Sequence, residues 1–114
     1  MVRWHKEYGS ALPDIYITEN GVAYPDGPDA HGQIKDERRI KYLQTHLSAL
    51  SEAISEGAPV MGYFQWSLLD NFEWSLGYAK RFGIVHVDYA TQERRLKDSA
   101  KWYSEVIKSN GATI

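Results

Sequence analysis

The chain has 114 residues, 43% of them hydrophobic, enough for one modest core and too few for two domains. A net charge of -2 and a pI near 6.1 provide no basic field to hold phosphates, which argues against nucleic acid or an anionic membrane as partners. Cysteine is absent, removing disulfides, thiolate catalysis and thiolate metal sites, and MVRWHKEYGS has no apolar signal-peptide core, so the expectation is a soluble, cytoplasmic chain in a reducing compartment.

Trp4 and Tyr8 lie four apart and share a face of a short helix, which Gly9 and Pro13 end. Ile15 to Thr18 is short, β-branched and aromatic, and apolar on both sides, as suits a strand buried in a parallel sheet. Glu19 follows it directly, before Asn20-Gly21. Residues 22 to 35 are dense in Pro, Asp and Gly and predict an irregular surface loop. From Asp36, the expected N-cap, Ile40, Leu43, Leu47, Leu50 and Ile54 recur at helical spacing, and Gly57 and Pro59 end that helix. Val60 to Trp66 predicts a second buried strand. Ser67 to Arg95 is a long excursion with a hairpin around Ile84 to Val87. A last helix starts near Asp98, with Ala100, Tyr103, Val106 and Ile107 as its stripe and Gly111 as its stop.

Strand, helix, strand, helix in this order predicts an α/β class built from two consecutive βα units of a parallel sheet. Two strands cannot close such a sheet, because both edges and part of a face stay open. A (β/α)₈ barrel of about 250 residues or more resolves this, and it carries its catalytic groups just beyond the carboxyl ends of its strands. Glu19 and Trp66 both stand at that position.

Aromatic residues make up 13% of the chain, with four Trp and eight Tyr. Core packing is the default role for each, and Tyr16 and Tyr63, within strands, are read that way. Glu19 alone could equally cap a turn. In FQWSLLDNFEW, however, Trp66, Glu73 and Trp74 add two large rings and a second acid after the neighbouring strand. Aromatic faces stack on the C–H faces of a sugar ring and carboxylates accept its hydroxyls. Two carboxyl groups about 5 to 5.5 Å apart would hydrolyse a glycoside with retention, and Glu19 with Glu73 is the naive pair. His5, His31, His46 and His86 form no metal-ligand pattern, and His46, on the long helix, is read as structural.

IYITENG (15–21), DERRIKYLQTHLSAL (36–50), GYFQWSLLDNFEWSLGYAKRFGIVHVDY (62–89) and KDSAKWYSEVI (97–107) together resemble the C-terminal part of glycoside hydrolase family 1, the β-glucosidase type. The resemblance implies a (β/α)₈ TIM barrel that cleaves β-glucosides and related sugars with retention. Residues 1–114 would then carry strands seven and eight with their helices, incomplete as a single chain. It also implies that Glu19 is the nucleophile, Trp66 the floor beneath the nonreducing sugar, Glu73 a binder of its outer hydroxyls and Trp74 a further hydroxyl contact through its indole N–H. Phe82 would line the same pocket. Glu73 is thus not the acid, and neither metal nor cofactor is implied. The family's acid/base glutamate sits in an Asn-Glu-Pro motif that this sequence lacks, and about three-quarters of a family barrel is missing on the N-terminal side. The expectation is therefore a fragment, weak or inactive alone, that self-associates or joins a complementary barrel piece. The alternative is a noncatalytic sugar-binding or self-assembling fragment.

Overall fold

A computed structural model describes residues 1–114. The first helix, α1 (Val2–Tyr8), buries none of its residues, and Trp4 and Tyr8 are exposed. Strands β1 (Ile15–Asn20) and β2 (Val60–Gln65) pair in parallel across the crossover helix α2 (Glu37–Ser55). That crossover accounts for the alternation in the sequence. Partners in register are Ile15 with Val60, Tyr16 with Gly62, Ile17 with Tyr63 and Asn20 with Gln65, with irregularities between Ile15 and Tyr16 and between Ile17 and Asn20.

The α2 stripe buries Leu43, Leu47, Leu50 and Ala53, and Arg39 one turn earlier on the same face. Ile54, expected in the stripe, is exposed because the smaller Ala53 takes the inward position of the last turn. At the helix end Gly57 adopts φ +96°, and a Cβ there would stand 2.8 Å from His5 Nε2, so the stop also seats α1. The last helix, α3 (Asp98–Lys108), contributes Val106, with Trp102 and Tyr103 half-buried beside it; Ile107 is exposed rather than packed. Leu47, Leu50 and Val106 form the core against Ile17, Val60 and Tyr63 of the strands. Full burial of such side chains is worth about 1.5–3 kcal/mol each.

Between β2 and α3 lies a hairpin, β3 (Val85–Val87) with β4 (Arg94–Leu96), joined antiparallel and fully buried along β3. It is a second sheet, linked to the preceding loop by a bridge between Leu69 and Val85.

The two strands of the first sheet are not buried on both sides as their composition predicted. Helices cover one face; on the other, Tyr16, expected to pack, is 56% exposed and Phe64 59%. The radius of gyration is 16.3 Å, against roughly 13 Å for a closed domain of this length. The accessible surface is 7491 Å², against roughly 6,400 Å² for a compact monomer of this mass. No helix is long and apolar enough to cross a membrane.

Candidate active site

The carboxyl ends of β1 and β2 meet through their backbones. Trp66 N–H donates to Asn20 O at 2.9 Å, and a Cβ added to Gly21 would lie 1.6 Å from Trp66 O. Only glycine lets the turn after Glu19 pass that close to Trp66. Strict alternation along β1 would point Glu19 the same way as Ile17, toward the helices. The irregularity after Ile17 reverses this: Asn20 faces the helices, donating to Tyr42 Oη at 3.1 Å, and Glu19 turns to the exposed side. Its carboxylate takes part in none of the chain's ion pairs, nor does that of Glu73.

Trp66 is half-buried, and the Trp66–Ser67 peptide is cis. Buried Ser67 donates its N–H to Phe82 O at 3.3 Å and accepts Ile84 N–H at 3.0 Å, which brings half-buried Phe82 alongside the end of β2. Glu19, Trp66 and Phe82 therefore sit on backbone segments tied to one another. Glu73 and Trp74 occupy a separate turn, closed by Glu73 N–H to Gly77 O at 2.7 Å and Leu76 N–H to Glu73 O at 2.8 Å. Glu73 is half-buried, whereas Trp74, at φ 43°, is 81% exposed.

Behind this rim lies a polar cluster that the sequence reading missed. Asp26, Asp36 and Asp70 face Arg39, Arg81 and Lys97, equal numbers of each charge. Arg39 pairs with Asp26, binds Asp36 at 2.5 Å and donates to Arg81 O at 2.8 Å. Lys97 Nζ lies 2.7 Å from Asp26 and 3.1 Å from Asp70, while Arg81 reaches Asp70 at 2.7 Å. Arg39 and Lys97 are completely buried. Removing one member of such a set strands a buried charge at a cost of about 3–5 kcal/mol.

The cluster corrects two expectations. The loop over residues 22 to 35 is not simply surface, since Ile34 is 1% exposed and Asp26 reaches inward to two cations. Asp36 stands at the N-terminal cap position of α2, but its side chain does not cap that helix. It accepts Ser99 N–H at 2.8 Å and Ser99 Oγ–H at 2.5 Å, and so caps α3. Asp70 accepts Gly83 N–H at 3.0 Å, fixing the segment that carries Phe82. His86 is buried beside the cluster, and burial, reinforced by Arg81, holds its pKa below the usual imidazole value. The one signal for this cluster was Arg39, an arginine standing in the apolar stripe one turn before Leu43.

The comparisons with known proteins bear on the chain as a whole. The profile of Glycosyl hydrolase family 1 matches residues 1–112. The chain belongs to that family. It is 58% identical over 99 residues to Beta-glucosidase A of Thermotoga maritima, spanning 87% of this chain and 22% of that one. To Beta-glucosidase A of Acetivibrio thermocellus it is 52% identical over 106 residues, 93% of this chain and 23% of the relative. A solved structure of the family 1 β-glucosidase from Thermotoga maritima in complex with isofagomine lactam superposes with a TM-score of 0.90 at 54% identity, over 96% of this chain and 25% of that chain. The family 1 chain described here thus spans about a quarter of the length of the relatives it matches.

Proposed function

We propose that this chain contributes the nucleophile and part of the glycone pocket to a retaining β-glucosidase-type barrel, as the seventh and eighth βα units of its wall. Glu19, ionised, attacks the anomeric carbon; the glycosidic C–O bond breaks and its electron pair leaves with the aglycone oxygen, forming a glycosyl ester on Glu19. Water then cleaves that ester with net retention. Protonation of the aglycone falls to a second carboxyl group, which this sequence does not contain in the Asn-Glu-Pro setting the family uses. Without it the rate falls by roughly 10²- to 10⁴-fold. Trp66 supplies the ring beneath the sugar, Phe82 part of the wall, Glu73 the acceptor for its outer hydroxyls and Trp74 an N–H donor. The Thermotoga maritima relative bound to isofagomine lactam supports a sugar as ligand.

The observation that carries the reading is Glu19 turned to the exposed side and held through Asn20-Gly21 against the Trp66 backbone. A 2-deoxy-2-fluoro-β-glucoside with a dinitrophenolate leaving group needs no acid to react, and tests it directly. Mass spectrometry should find the fluorosugar on the peptide containing Glu19, and Glu19→Gln should stay unmodified. Label on another residue, or none, overturns the assignment. A second reading, a noncatalytic sugar-binding or self-assembling wall piece, is favoured by the surface excess and the bare sheet face; glucose binding with no label selects it.

A further inference from the structure

The register irregularity that turns Glu19 outward has its own fastener. Asn20 is held from two sides: its Nδ2 donates to Tyr42 Oη of α2 at 3.1 Å, and its Oδ1 accepts the Tyr63 hydroxyl of β2 at 2.8 Å. Burial, with Tyr103 and Tyr42 nearby, pushes the Tyr63 phenol above its ordinary range, so it stays protonated and keeps donating. The same hydroxyl lies 3.5 Å from Gln65 Oε1, and Gln65 Nε2 donates to Trp66 O at 2.6 Å, the carbonyl against which Gly21 is pressed. The ring of Tyr42 is itself fixed, stacked on His46 at 3.9 Å between centroids. Both strand ends are thus tied to one relay on the helix-covered side, while the acid and the open face lie on the other.

Resting on the reading of Glu19 as nucleophile, we infer that Asn20 is its positioning residue: clamped between Tyr42 and Tyr63, it selects the irregular register and thereby the face on which the Glu19 carboxylate is presented. A strand slipped by one position exchanges its two faces. Without the amide, β1 can regain plain alternation, which pairs Glu19 with the helix side and Thr18 with the other.

The absence of cysteine makes this measurable without any activity. Glu19→Cys and Thr18→Cys each introduce a unique thiol whose alkylation rate by iodoacetamide reports its exposure. Adding Asn20→Ala should slow alkylation at position 19 by about tenfold or more relative to position 18; Tyr63→Phe, which keeps the ring and removes the hydroxyl, should shift the ratio the same way by less. Val87→Ala, which loosens the buried β3 strand and belongs neither to the clamp nor to the core packed against Tyr63, should leave the ratio unchanged. On chain with Glu19 intact, Asn20→Ala should lower the maximal rate of fluoroglucoside labelling more than it raises the half-saturating concentration. An alkylation ratio indifferent to both Asn20→Ala and Tyr63→Phe overturns the positioning role, even if Glu19 labels normally. A wild-type chain that takes no label, with an alkylation ratio that does respond, instead overturns the nucleophile and leaves Asn20 as the selector of register.

Discussion

The two faces of the β1–β2 sheet are made by the same dozen residues and behave oppositely. On one, Ile17, Val60 and Tyr63 meet Leu47, Leu50, Val106, Trp102 and Tyr103, and the chain closes its own core. On the other, the rings of Tyr16 and Phe64 lie over Gly62 and stay largely exposed, and Glu19 is exposed at the end of β1. The closed face stabilises the chain; the open face carries the groups proposed to act on sugar. A barrel wall has this division built in, because each strand serves helices outside and a shared interior within.

The comparison breaks most sharply at the buried charges behind the closed face. Lys97→Met leaves Asp26 and the buried Asp70 with one fewer cation, and urea unfolding should show a loss of about 3–5 kcal/mol or no cooperative transition at all. Leu47→Ala should cost about 2–5 kcal/mol by the same measurement, from lost transfer energy and the cavity left behind. Phe64→Ser, a larger truncation on the open face, should change unfolding free energy by less than about 0.5 kcal/mol. If the bare face drives self-association, sedimentation of the wild type should show concentration-dependent dimers or larger species that Phe64→Ser reduces. A wild-type monomer at all concentrations refutes that association.

The smallest expected effect is a pH slope. The folded pKa of His86 lies below its unfolded value, through burial and the neighbouring Arg81 and Lys97, opposed by Asp70 and Asp26. As pH falls through about 6.5 the unfolded chain takes up the proton first, so the stability due to a neutral His86 is intact above that pH and declines below it. His86→Gln should flatten this part of a stability-against-pH curve measured between pH 5 and 8. An unchanged slope would mean that the imidazole protonates equally in both states.

Much of this was legible beforehand because it follows local chemistry. Helical spacing located Leu43, Leu47 and Leu50, a β-branched and aromatic run located the first strand, and the run from Val60 after the Gly57 and Pro59 stop located the second. Glycine and proline marked the helix stops. What could not be read was set by contacts between distant residues. Asp36 looked like a cap for α2 and caps α3 instead, 63 positions away, because its carboxylate meets Ser99 only after the helices pack. Lys97 is fully buried because Asp26 and Asp70 arrive from two separate loops. Glu73 and Trp74 were placed with Glu19 by resemblance; within this chain they sit on a turn of their own.

By itself the amino-acid order determined where strands and helices form, that the strands run parallel, and which acid stands at a strand end, for these depend on spacing and backbone preference within a few residues. Only the tertiary structure decided which way that acid faces. Alternation along β1 directs Glu19 to the helices; the register irregularity, with Asn20 bonded to Tyr42 and Tyr63, 22 and 43 positions away, directs it outward, and no local rule contains those two hydroxyls.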